Sequence, residues 1–597
     1  MQRAFAASAA IAVRIGAAAA AVVGAGVGAA TPPAASDRAL ETASANPPIQ
    51  LPSYTVTDSR ILPALEAWRY AKIGAFEILS SASDRDTRRI VDDFLRFHEA
   101  VAMVWPTVQL NAEVPATLIL CNRVARFAEF APASDLANID HTLSLCLQSG
   151  GEAAIVINLE NSGAGASFAD EGGGGSDYAQ QLLHGEFVHF LISRIGPRTP
   201  PWLENALTRL FTTMKQDSKG FSFPGIADPG NLAARRAFAE KIRSVSPAEA
   251  ARAAAADKDC HEALSRGTLI PLAHLFSADG EWGQEALSDP VAIEGWEFTR
   301  FCLFSGDGRY RAPFIEFAFL CSHRNADEAL FRRCFKMGYD EMLALVWAST
   351  DWALTISFKL AASPSKEGSR SNLELRAAND AEQGRIKGEA LLMAGRSEDA
   401  HWNLIAPYQR GSREPELLSA LGLEERTEGR DDRAVKFLEA AVAGGTTRSR
   451  AYLELAQLRL AAADAHPGGA GGRIDVDQLA GVLKPLFAGR VLKPAIADIY
   501  TAIATAWSHS QFSPQSGHLA VVDQGVRLFP YDSKLVYADA RLKAQCGRPA
   551  DAAALCQVGI EFAASEGDRR RFEELQSSLR LPLPAPAAPP KEAAPHG

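Results

Sequence analysis

A group of imidazoles and carboxylates stands near the end of the first third of the chain, in Gln181-Leu-Leu-His184-Gly185-Glu186-Phe187-Val188-His189. A further carboxylate follows in Pro200-Pro201-Trp202-Leu203-Glu204-Asn205. Imidazole nitrogens and carboxylate oxygens are the side-chain atoms that hold divalent metals and move protons at a bound water. Residues of these types at such short spacing therefore make this the first place to look for chemistry. His98, His141, His261 and His323 show no ligand spacing and read as structural or surface residues.

The segment resembles the zinc metallopeptidases of the gluzincin, or peptidase-MA, type, over residues 55–350. In that family H-E-x-x-H on a helix gives two zinc ligands and a general base, and the Glu of W-x-x-E-G-L-A gives a third ligand. Carried over by position, the resemblance implies Glu186 as base and His189 as second ligand. The first ligand position holds Gly185, with His184 one place early. In the second motif Trp202 matches, the ligand position holds Asn205, and Glu204 stands one place early. Gly295-Trp296-Glu297-Phe298 looks like the substrate-side helix of these proteins, without the tyrosine expected just ahead of the Trp.

The displacement has a geometric cost. At about 100° per residue, histidines four apart share a helix face, whereas His184 and His189, five apart, differ by about 140°. A one-residue π-bulge between them would restore the alignment. A catalytic zinc ordinarily takes three protein ligands and keeps one open position, so His189 alone would hold it poorly. Trp202 and Trp296 read as core residues under either arrangement.

The elements that must position these residues form an α+β N-terminal domain, a small mixed sheet plus helices. Strands are expected at Gly74–Leu79, Ala116–Cys121 and Ala153–Leu159, with a helix capped by Ser83 and Asp84 and carrying Ile90, Val91, Phe94, Leu95, Val101 and Val104 at helical spacing. Beyond the run Gly172–Gly175, read as a flexible connection, helices are expected over Gln180–Ile195, Leu203–Lys215, Ala233–Ala255 and Trp296–Phe304. The polar, breaker-rich residues 361–373 are read as a linker between this domain, 51–360, and a second one at 374–580.

In the second domain Gly395-Arg396-x-x-x-Ala400 recurs as Gly429-Arg430-x-x-x-Ala434, and the offset from 395 to 429 is 34 residues. That is the period of the tetratricopeptide repeat, a pair of helices. The glycine would end one helix in a left-handed turn, and the small alanine would let the next helix pack closely. Gly547-Arg548-x-x-x-Ala552 is a later copy, out of phase across the Gly/Pro-rich insertion at 466–472. Five or six helix pairs are expected, forming an all-α solenoid of the tetratricopeptide type.

The ends and the composition bound the rest. Residues 1–30 read as a secretory signal, with Arg3 and Arg14 ahead of an apolar stretch and small residues at Gly28-Ala29-Ala30, which implies an exported protein, periplasmic or extracellular, with no membrane span after cleavage. Residues 31–50 and 581–597 are Ala/Pro-rich and expected to be disordered. A net charge of −10 without basic clusters argues against nucleic acid as a partner. The eight cysteines are scattered without a C-x-x-C pair and read as buried thiols, with one or two disulfides as the alternative.

These readings describe a protein or peptide binder with a degenerate peptidase-like domain and no cofactor. The alternative is a zinc metallopeptidase acting on exported polypeptides, with His184, His189 and Glu204 as ligands and Glu186 as base.

Overall fold

Apolar runs at the expected places become strands stacked in one six-stranded sheet. The computed structural model describes residues 49–56, 62–105, 116–149, 152–160, 174–196, 198–217, 220–224, 271–277, 290–355, 357–361, 373–563 and 565–579. The expected signal, the linker core, the helix at 233–255 and the C-terminal tail lie outside them, as do most of residues 31–50.

Strands β1 (Arg69–Ile73) and β2 (Phe76–Ser80) form a hairpin, with Gly74 at φ +57° in the turn, which is why the strand expected from Gly74 begins two residues later. The helix α1 (Asp84–Val104) starts as read: the Ser83 hydroxyl accepts the Asp86 N–H at 3.1 Å. Strands β3 (Ala116–Cys121), β4 (Ser144–Ser149) and β5 (Glu152–Asn158) complete most of the sheet. Its order is β4-β5-β3-β2-β1 with one more strand beyond β1, and β2, β3 and β5 run parallel.

Next come α2 (Gly174–Ile192) and α3 (Pro201–Thr212), which carry the two motifs. Strands β6 (Lys215–Asp217) and β7 (Gly220–Phe223) belong to a second, three-stranded antiparallel sheet. Helices α4 (Pro290–Phe304), α5 (Arg311–Cys321), α6 (Glu328–Phe335) and α7 (Tyr339–Thr355) follow, and β8 (Phe358–Ala361) closes the second sheet.

The short strand β9 (Arg376–Ala377) pairs with β1, so the six-stranded sheet takes its last strand from beyond the breaker-rich stretch. The solenoid begins at once with α8 (Asp380–Met393) and continues with α9 (Ser397–Gln409), α10 (Pro415–Thr427), α11 (Asp431–Ala443), α12 (Ser449–Ala465), α13 (Val476–Gly489), α14 (Ala497–His509), α15 (Ser516–Leu528), α16 (Ser533–Gln545), α17 (Pro549–Glu561) and α18 (Glu566–Ser578). These make five helix pairs and a final helix among the described residues. The repeat glycines do what their spacing asks: Gly395, Gly429 and Gly547 have φ of 74°, 72° and 70°, and Ala400, Ala434 and Ala552 are fully buried.

Alternation along the strands sends two apolar sets to opposite faces. Ile78, Leu118, Leu120, Ile155 and Ile157 pack on α1 and α2, while Leu79, Ile119, Ala154 and Val156 pack on Phe127, Phe130 and, from α8, Ile386 and Ala390. The sheet is therefore a middle layer, with α1 and α2 on one side and the first solenoid helix on the other. The far end of the solenoid also returns to the N-terminal region, where Tyr531 meets Phe319 at 4.7 Å and Phe562 at 4.5 Å, and Arg333 pairs with Glu561 at 2.8 Å. The seven described cysteines are free thiols.

Candidate functional site

On α2 the sequence-marked residues part company. Residues 174–192 are α-helical throughout, without the π-bulge that would bring the two histidines to one face. His184 is buried, its Nε2 2.8 Å from Asp93 Oδ2 and its ring lying parallel on Phe97, centroids 3.8 Å apart. Neither His184 Nε2 nor Asp93 Oδ2 meets a hydrogen-bonding angle, so the approach is a close polar contact beside a ring stack rather than an aligned bond. Both partners come from α1, and a bulge that rotated His184 toward His189 would forfeit them.

His189 faces α3. Its Nδ1 stands 3.1 Å from Glu204 Oε1, with both side chains 44% exposed. The bond to Glu204 outweighs the cost of partial burial and raises the His189 pKa above its ordinary 6.5, and the same bond lowers that of Glu204. Glu186 turns to the edge strand β4, where its Oε1 accepts the Ser144 hydroxyl at 2.6 Å. Gly185, at the position that would carry the first ligand, looks toward Thr212 of α3: a Cβ there would lie 3.6 Å from its Cγ2.

The expected ligand set is thus split. His189 and Glu204 come together; His184 does not join them. Two donors fall short of the three that hold a catalytic zinc, and among the described residues no three His, Cys, Asp or Glu side chains form a group able to hold a metal.

Trp202 packs against Phe276, Phe298, Phe314 and Phe317, and Trp296 carries the guanidiniums of Arg209 and Arg300 on its ring, as the core reading of both tryptophans requires.

A second concave place was not visible in the sequence. A cavity of about 370 Å³ lies between one end of the six-stranded sheet and the inner face of the solenoid. The sheet contributes Lys72, Thr117 and Glu152, and the first helices of successive pairs contribute Glu389, Glu416 and Arg450, with Lys493 and Asp498 beside them. Both signs of charge line it, together with the apolar Ile386, Ala390 and Ile496.

Its wall is built on a buried ion network. Arg385 is 3% exposed and reaches Glu77 at 2.6 Å and Glu389 at 3.1 Å; Glu389 in turn meets Arg448, and the Tyr70 hydroxyl donates to Glu77 at 2.8 Å. Burial would raise the Glu77 pKa, but the Arg385 charge overrides it and holds the carboxyl down at about 2. The network joins the sheet to α8 and α12, so the wall of the cavity is also the joint between the two halves of the chain. No sequence pattern announces it, because α8 buries Glu382, Arg385 and Lys387 together with its apolar residues.

No family model matches the chain, and no curated protein matches it. Among solved structures it is similar to the crystal structure of a thermophilic TPR protein from Thermus thermophilus, at 19% identity over 33% of this chain and 98% of that chain, with a TM-score of 0.26. No described helix is long and apolar enough to cross a membrane.

Proposed function

We propose that the chain is an exported repeat protein that binds a polypeptide segment in the cavity between its sheet and its solenoid, and that its gluzincin-like domain serves as a scaffold without a catalytic zinc. The observation that carries this reading is the cavity. It is faced by the first helices of successive pairs, the surface on which helical-repeat solenoids receive extended segments, and its mixed charge suits a peptide with both acidic and basic side chains. The engagement of His184 by Asp93 and Phe97 supports the second half of the proposal, since it removes one of the three donors a zinc would need.

The peptidase reading keeps one specific support, the meeting of His189 with Glu204 one helical turn from Glu186. A zinc held by these two side chains would need a third donor.

The test is an array of immobilised synthetic peptides probed with the intact chain and with a Lys72→Glu/Lys493→Glu variant. Both lysines are exposed on the cavity rim, so the variant is expected to keep its circular dichroism spectrum. Selective capture that the paired charge reversal abolishes fits the proposal; capture that ignores the reversal, or no capture, contradicts it.

A further inference from the structure

Residues 50–56, Gln-Leu-Pro-Ser-Tyr-Thr-Val, run across the solenoid against residues that do not line the cavity, on a groove formed mainly by the second helices α9 and α11 with α10 between them. The segment has no regular secondary structure and makes no backbone–backbone hydrogen bond among the described residues. Solenoid side chains hold its main chain instead. The Tyr408 hydroxyl donates to the Pro52 carbonyl at 2.8 Å, Arg433 to the Ser53 carbonyl at 3.3 Å, and the Gln409 amide to the Tyr54 carbonyl at 2.8 Å. Three successive carbonyls are read in this way without any ladder.

One side chain anchors the segment. The Tyr54 ring stacks on Phe437 at 6.0 Å, meets His401 and Tyr408 edge-on, and lies under the Arg433 guanidinium at 4.5 Å. Its hydroxyl donates to Glu425 Oε1 at 2.6 Å. The Glu425 side chain is itself fully buried and is held in place by Arg430 and Arg433. Leu51 and Val56 add apolar contacts on either side, while Ser53 and Thr55 face solvent. This is how a groove holds a peptide from another molecule: carbonyls clamped by side chains, an aromatic anchor in a shaped pocket, and a buried carboxylate that selects a hydroxyl.

We propose that the α9–α11 groove is a recognition site for an extended partner segment of the pattern Leu-Pro-x-Tyr-x-Val, and that the chain's own residues 50–56 occupy it as an intramolecular competitor. A tethered segment competes at high effective concentration, so a partner gains access only when the arm is weakened or outnumbered. None of the residues that hold the segment lines the cavity, and the site does not depend on the function proposed there.

The experiment uses the full chain and a fluorescein-labelled peptide of residues 50–56, read by anisotropy. The peptide is expected to bind a Tyr54→Ala variant at least about tenfold more tightly than the unmodified chain, because the competing arm has lost its anchor. A probe with Phe in place of Tyr is expected to bind that variant about tenfold more weakly, since the Glu425 carboxylate then loses its donor. Tyr54→Phe, which keeps the ring contacts, preserves the fold should Tyr54→Ala not, and is also expected to admit the peptide better than the unmodified chain does. Peptide binding no tighter to either variant than to the unmodified chain, or equal affinity for the Tyr and Phe probes, overturns the proposal.

Discussion

His189 Nδ1 and Glu204 Oε1 meet at 3.1 Å across the α2–α3 contact, so an imidazole and a carboxylate from the two motif-bearing helices turn toward each other. The pairing fixes a pH window. His189 has a raised pKa, so its contribution to stability is fully present below its unfolded value of 6.5 and is lost as pH rises through the folded value. Glu204 has a lowered pKa, so its contribution is present above 4.5 and is lost as pH falls through its folded value. Proton NMR of the His189 ring should show titration above 6.5, moving back toward it in Glu204→Gln. Both groups are nearly half exposed, so solvent screening holds the stability effect of that substitution to about 0.5 kcal/mol or less. An unmoved His189 titration would show that the pair does not form in solution.

The Arg385 network should be costly to break. Replacing Arg385 by Met leaves the Glu77 carboxylate buried without its strongest partner, at a cost of about 3–5 kcal/mol. Urea unfolding measures this directly, and because the network joins the sheet to α8 and α12, both halves should lose stability together. A loss below about 1 kcal/mol would mean that the joint rests on apolar contacts alone.

Two glycines should fail for different reasons. A Cβ on Gly384 would stand 2.5 Å from the Asn403 carbonyl oxygen and 2.7 Å from Pro407 Cγ, so Gly384→Ala pushes α8 from α9 at about 1–3 kcal/mol. At Gly395 a Cβ meets nothing within 4 Å, and the cost of Gly395→Ala, about 1–2 kcal/mol, comes from its φ of 74°. Gly395→Asn should recover part of the second loss, because Asn tolerates the left-handed region, whereas Gly384→Asn should be worse than Gly384→Ala. Thermal unfolding of the four variants separates the two mechanisms.

Much of the fold was legible in local signals. The apolar runs of β2, β3 and β5, the Ser83 cap and the Gly-Arg-x-x-x-Ala spacing all act over a few residues, and each appears within two residues of where the sequence places it. What stayed hidden depends on distant partners. Arg385 and Lys387 look like solvent-facing charges on a helix until Glu77, Glu66 and Glu129 are brought to them by the sheet side of the molecule. The two-residue strand β9 is too short to carry a periodic signal. At the candidate site, helix geometry alone separated His184 from His189, but nothing in the sequence pointed to Asp93 and Phe97, which give His184 its place on α1.

The most direct test of the account is the zinc content of the purified chain after equilibration with zinc and dialysis, measured beside His184→Gln, His189→Ala and Glu204→Gln. The account predicts substoichiometric zinc in all four proteins, with His184→Gln altered in thermal stability alone, since that side chain packs on Phe97 beside Asp93. Stoichiometric, tightly held zinc in the unmodified chain that is lost on replacing His184, His189 or Glu204 would contradict it and favour the metallopeptidase reading.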